Sequence, residues 1–199
     1  MRKELEQFIV SKLESWDLCK DRAVICVAPK NFNDDCVRFS CLDLDVYVRI
    51  IMFTEGYCEC ASCVVTDSLM KKWGISANEL FDVAMENSRK QYRIDTMSDL
   101  VGAPGLTEQA VVRFNESMYG AGAIIFTDSI LPIVADLLDS DLIVLPSSIH
   151  EIICMSVNDI EMANASQMVH DINQSAVEEH ERLSDHAYWY HRESKVITW

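Results

Sequence analysis

An α+β fold with mostly antiparallel sheet is predicted for this chain, and three observations carry the expectation. Runs rich in valine, isoleucine and cysteine are grouped in the first third and again in the second half. Stretches with helical apolar spacing gather around them, and strand does not alternate regularly with helix as a parallel sheet requires. The 199 residues are 49% hydrophobic with only six glycines and four prolines, so apolar material suffices for one unit, 1–199, with a real core. Its weakest joint is 98–107, where Gly102-Ala103-Pro104-Gly105 breaks the periodic pattern; a subdivision into lobes 1–97 and 106–199 would fall there.

Taken in order, Leu5, Phe8, Ile9, Leu13 and Trp16 form one apolar stripe flanked by Glu4, Glu6, Lys12 and Glu14, which predicts a first helix packed on a sheet. Residues 23–28, 37–41, 45–53 and 60–66 read as strands, because branched side chains pack well on a pleated surface. The turn-forming stretches 30–35 and Glu55-Gly56 are short, which favours antiparallel neighbours. Thr66 or Asp67 can then cap a helical turn closing at Trp73-Gly74. Ser76-Ala77-Asn78-Glu79 has the form of a capping box ahead of Leu80, Phe81, Ala84 and Met85, predicting a helix to about Arg89.

In the second half, 110–114 and 122–126 are expected strands and 129–138 an expected helix, with Pro132 tolerated in its first turn. Strands follow at 142–145 and 151–157. Asn158-Asp159-Ile160-Glu161 introduces a helix bearing Ala165, Met168, Val169 and Ile172, and 188–191 with 195–199 form a terminal hairpin.

The formal charge is −15, from 32 acidic against 17 basic residues, which disfavours direct contact with nucleic-acid phosphates or an anionic membrane surface. An excess of this size either keeps a protein soluble or forms a face complementary to a basic protein partner. The first 14 residues hold no continuous apolar core and no segment approaches the ~20 apolar residues of a membrane span, so a cytoplasmic protein is expected. There the eight cysteines, at 19, 26, 36, 41, 58, 60, 63 and 154, stay reduced. Cys58-Glu59-Cys60-Ala61-Ser62-Cys63 invites a metal reading, but on a strand Cys63 faces away from Cys58 and Cys60, and a fourth ligand at matching spacing is lacking. No phosphate-binding glycine loop occurs, since Gly120-Ala121-Gly122-Ala123 leads into an apolar run; no cofactor is expected.

Polar chemistry is densest at Leu145-Pro146-Ser147-Ser148-Ile149-His150-Glu151. Ser148, His150 and Glu151 are the residue types of a hydrolytic triad. Adjacent strand positions diverge, however, so Ser148 and His150 can share a face while Glu151 cannot join them. A Ser148–His150 pair without a third partner is one arrangement, and fold closure that brings His170, His180, His186 or His191 near Glu151 is another. The other reading makes the serines turn groups and His150 and Glu151 anchors for neighbouring loops.

These motifs, with Ala61-Ser62-Cys63-Val64-Val65-Thr66, Trp73-Gly74-Ile75-Ser76, Glu79-Leu80-Phe81, Ala84-Met85-Glu86-Asn87, residues 120–126 and Leu183-Ser184-Asp185-His186-Ala187-Tyr188, resemble an uncharacterised family of Gram-positive, gut Firmicutes-type bacteria, a domain of unknown function. The resemblance spans 43–199 and implies no activity.

Two function classes follow. One is a non-catalytic, acidic accessory or inhibitory protein acting on a basic, nucleic-acid-binding protein, with Glu178, Glu179 and Glu181, or Asp136, Asp139 and Asp141, as its charged patch and Tyr188, Trp189 and Tyr190 as an aromatic contact surface. The alternative is a small hydrolase using Ser148 and His150.

Overall fold

Two antiparallel sheets meet at one shared apolar core in the computed structural model, which describes residues 10–32, 35–53, 60–102, 109–114 and 119–199. In the first sheet, β1 (Ala23–Pro29) lies along one edge of β3 (Leu44–Phe53). β2 (Arg38–Cys41) and β4 (Cys60–Val64) pair with successive stretches of its other edge, Arg38 opposite Tyr47 and Arg49 opposite Val64. Side chains alternate along a strand, so Leu44, Val46, Val48, Ile50 and Met52 enter the shared core while Asp45, Tyr47, Arg49 and Ile51 take the opposite face. That face is covered too, by Phe114 and Tyr119 from the second half of the chain. From Leu44 to Met52 only Arg49 is not classed as buried.

The expected stripe residues Leu5, Phe8 and Ile9 lie outside the described residues. Helical backbone at 10–12 stops before Trp16, because Ser15 is extended (φ −142°, ψ 157°) and starts a separate four-residue helix, α1 (Trp16–Cys19). Trp16 packs against Trp73 at the end of α2 (Asp67–Trp73), with ring centroids 5.5 Å apart. Local capping follows the sequence: Thr66 Oγ1 accepts the Leu69 N–H, Gly74 closes α2 at φ +71°, and Ser76 Oγ accepts the Glu79 N–H at the start of α3 (Ala77–Arg89). From α3, Ser88 Oγ accepts the Ile25 N–H at 2.8 Å, a β1 edge donor with no strand beyond it among the described residues.

The second sheet runs β10-β9-β7-β8-β6-β5, with β5 (Tyr92–Thr96), β6 (Ala110–Phe114), β7 (Leu142–Ser148), β8 (Glu151–Ser156), β9 (Tyr188–His191) and β10 (Val196–Thr198). β5 and the short α4 (Met97–Val101) that follows it are additions to the expected elements; Tyr-Arg-Ile-Asp-Thr is too polar to announce an edge strand, and pairing with β6 creates it. α5 (Ile130–Leu137) carries Pro132 in its first turn. α6 (Met162–Ser175) buries Ala165 and Val169 against Ile143, Leu145 and Met155, leaving Met168 and Ile172 exposed.

One expected strand is absent. Residues 120–125 form a buried 3-10 helix, Gly120–Ile125, instead of the strand predicted at 122–126. Its Gly120 and Ala121 N–H groups donate to the carbonyls of His150 and Ile149. A Cβ on Gly120 would lie 2.3 Å from the His150 carbonyl oxygen, and one on Gly122 2.8 Å from that of Ile25. Small residues thus let this segment thread between the sheets, where a strand with side chains does not fit. No helix among the described residues is long and apolar enough to cross a membrane.

Candidate functional site

The turn between β7 and β8 presents the Pro146–Glu151 motif. Pairing shifts register between Leu145 and Ser148, around Pro146, whose nitrogen has no hydrogen to give to a ladder. Ser148 Oγ then accepts the His150 backbone N–H at 3.1 Å, and Ile149 N–H donates to the Glu181 carbonyl at 3.0 Å. His150 Nε2 sits 3.1 Å from Glu181 Oε1. Ser148 is therefore engaged by backbone, no Ser148–His150 side-chain hydrogen bond forms among the described residues, and Glu151 lies in register with Arg113 on β6. The other four histidines face different acids: His170 Asp185, His180 Glu178, His186 Asp43 and His191 Asp141. None of them supplies a third member beside Glu151.

Tertiary folding instead joins His150 to residues that sequence spacing does not connect. Its ring stands 6.1 Å from that of Tyr119, whose hydroxyl lies 3.2 Å from Ser62 Oγ. Arg49 Nε and Nη2 both donate to that Ser62 oxygen, at 3.1 and 3.0 Å, and the guanidinium lies over the Tyr119 ring, 4.8 Å from its centroid. The Tyr47 hydroxyl is a further hydrogen-bond partner of Arg49. A polar chain thus runs from Tyr47 and Arg49 on β3, through Ser62 on β4 and Tyr119, to His150 and Glu181.

Among the described residues, the partners of Arg49 itself are neutral. Burial pushes the Tyr47 hydroxyl and the Cys26 thiol beneath it well above their ordinary titration ranges, and among the described residues no carboxylate pairs with Arg49. Asp45, on the same strand face, is fully provided for by comparison: it accepts from Arg38, Ser40 and the Asn31 backbone. His150 Nδ1 is buried with no hydrogen-bond partner among the described residues, and Tyr119 holds φ +62°, a left-handed conformation uncommon for a bulky side chain. The one available signal for this cluster was Arg49 itself, a cation inside the apolar run Val46-Tyr47-Val48-Arg49-Ile50-Ile51.

The expected aromatic surface requires correction. Tyr188 and Tyr190 are fully buried, their hydroxyls donating to Asp43 Oδ1 at 2.6 Å and to the Thr127 carbonyl at 2.9 Å. Strand alternation faces both tyrosines inward, with β9 paired to β7 inside the sheet. Trp189 alone is half-exposed, with its indole N–H on Asp141 Oδ2 at 3.1 Å.

Of the acidic groups, Glu178 and Glu179 are exposed, while Glu181 is half-buried through its His150 contact. Asp136 and Asp139 grip Arg192 at 2.9 and 2.7 Å, and Asp141 accepts its backbone N–H. A groove of about 550 Å³ lies there, lined by Pro132, Asp136, Ser140, Asp141, Arg192 and Lys195.

Cys58 lies outside the described residues. Cys63, opposite Ile50, packs on the shared core, and among the described residues no three His, Cys, Asp or Glu side chains are placed to hold a metal ion. Cys19, Cys26, Cys36, Cys41, Cys63 and Cys154 are free thiols.

The chain belongs to a family of unknown function, DUF5688, whose sequence model matches residues 1–192 and so takes in the first forty residues that the motif resemblance left out. No curated protein and no solved structure matches it.

Proposed function

We propose that the protein is a non-catalytic, cytoplasmic accessory protein that binds and inhibits a basic protein, with a nucleic-acid-binding protein as the partner class and the exposed segment around Glu178 and Glu179 as the contact. The observation that carries this reading is the unequal treatment of the two acidic patches. Asp136 and Asp139 are both taken up by Arg192, whereas no lysine or arginine among the described residues pairs with Glu178 or Glu179. On a chain of net charge −15, carboxylates left in this state are complementary to an external cationic surface and accelerate its approach. A hydrolase using Ser148 and His150 has less support, since nucleophilic catalysis needs the serine oxygen bonded to the ring and here it holds the turn.

The test begins with capture from the native host at low salt, followed by titration of the purified partner. Affinity is expected to fall as salt rises through 0.1 M, where the Debye length is about 10 Å, and to fall further in Glu178→Lys/Glu179→Lys but little in Asp139→Lys. A partner indifferent to salt and to Glu178→Lys/Glu179→Lys defeats the proposal.

A further inference from the structure

We propose that the Arg49 cluster is a binding site for a small oxyanion, a carboxylate or phosphate group carried by a small molecule. The inference is independent of the acidic surface and starts from where Arg49 sits. Taking a guanidinium out of water is costly unless an anion or a full set of hydrogen bonds replaces the lost hydration. β3 is buried on both faces, and its other charged side chain, Asp45, has an arginine, a hydroxyl and a backbone N–H around it. Arg49 has two hydroxyls and a ring, all neutral. Among the described residues, the fold supplies a counter-charge at one position of this face and none at the other.

The arrangement around Arg49 also suits a ligand chemically. Two of its donors converge on a single oxygen, Ser62 Oγ, and the Tyr119 ring lies against its face. Both contacts fix the guanidinium plane, and neither satisfies its charge. A guanidinium held in a fixed plane is the geometry that meets two oxygens of a carboxylate or phosphate at once. Tyr47, Cys26 and Tyr119 are buried and form the floor of the cluster, whereas Arg49, Ser62 and His150 each keep part of their surface in solvent, so the cluster has an open side. One further feature makes it more than a packed arginine: the left-handed backbone of Tyr119. Gly120 makes the convergence possible, since its missing Cβ is what admits the His150 carbonyl beside Tyr119.

The experiment follows the Arg49 Nε–H resonance by NMR in the full chain while sodium phosphate, or in a second arm sodium acetate, replaces sodium chloride at constant ionic strength. A saturable shift with a Kd of about 1 mM or tighter is expected for at least one anion. Saturation by phosphate alone identifies a phosphorylated ligand, and by acetate alone a carboxylate. Arg49→Lys keeps the charge and serves as the variant that folds if Arg49→Met does not. With the planar fork gone, its binding, read by calorimetry with the same anions, is expected to weaken about tenfold. No saturable shift with either anion in the wild-type chain, or undiminished binding in Arg49→Lys, overturns the proposal.

Discussion

Arg49 and Arg192 are satisfied in opposite ways. Arg192 lies at the surface between Asp136 and Asp139, and its own backbone N–H goes to Asp141. Arg49 sits between two sheets' worth of apolar side chains, with hydroxyls and an aromatic ring in place of acids. Where water is available, two carboxylates hold one cation; where water is scarce, no carboxylate among the described residues pairs with the cation. An arrangement that inverts the usual match of charge to burial is not explained by stability alone, since the exposed pairs gain little and the half-buried cation is costly to hold. It leaves the acidic end locally compensated and the interior cluster open to an anion.

The contrast can be broken most strongly at Gly120. A Cβ there would meet backbone at every approach, 2.3 Å from the His150 oxygen, 2.8 Å from Arg113 Cα and 2.9 Å from Phe114 N, and backbone cannot step aside as a flexible side chain can. Gly120→Ala is expected to lose about 3 kcal/mol or more in urea unfolding, with the Arg49 cluster displaced in the fraction that folds. Wild-type stability in this variant would show that the close approach does not hold the two halves in place.

Next in size is a pair of tyrosines. The Tyr188 hydroxyl donates to a carboxylate, Asp43, whereas that of Tyr119 meets a neutral hydroxyl, Ser62. Tyr188→Phe should cost about 1.5–3 kcal/mol and Tyr119→Phe about 1 kcal/mol, the difference measuring the charged partner. Equal costs would mean that the carboxylate adds nothing.

A smaller effect lies at the acidic end. The Asp141 carboxyl is held below its ordinary range, chiefly by the Arg192 backbone N–H and also by the Trp189 indole N–H and His191. A depressed folded value means that its contribution is fully present above the unfolded carboxylate pKa, about 3.9, and is lost as pH falls through the folded value. Asp141→Asn is therefore expected to flatten the acid limb of stability against pH and to leave the neutral-to-alkaline dependence unchanged. The smallest change is expected for Arg192→Ala, whose ion pairs are open to solvent and salt. Its melting temperature should stay close to wild type, while electrophoretic mobility registers the extra net negative charge.

How legible each feature was depends on the range of the contact that makes it. Caps at Thr66 and Ser76 bond three residues away, so the residues that announce these helices are the ones that start them. The strands of the first sheet were readable for a similar reason, because richness in valine, isoleucine and cysteine is written into the run itself. Arg49 was passed over in its apolar run, since nothing local gives it a role: Ser62 is 13 residues away, and Tyr119 is brought in by the second half of the chain. Ser148, His150 and Glu151 show the converse. Their proximity in sequence suggested a catalytic group, while the contacts that engage them are a backbone N–H, the distant Glu181 and a register position on β6.

The α+β class, most strand positions, the helix caps and the family membership follow from the sequence by itself, because periodicity, capping chemistry and motif identity are local properties of the chain. Tertiary structure decided the rest: that Gly120–Ile125 is a 3-10 helix, that Tyr188 and Tyr190 are core residues, and that Arg49, Tyr119 and His150 are neighbours. Each of those outcomes depends on which groups remain for a side chain or a carbonyl to meet after the two sheets have closed. An apolar run, an aromatic pair or a lone arginine has the same local pattern whichever partner the closure brings to it.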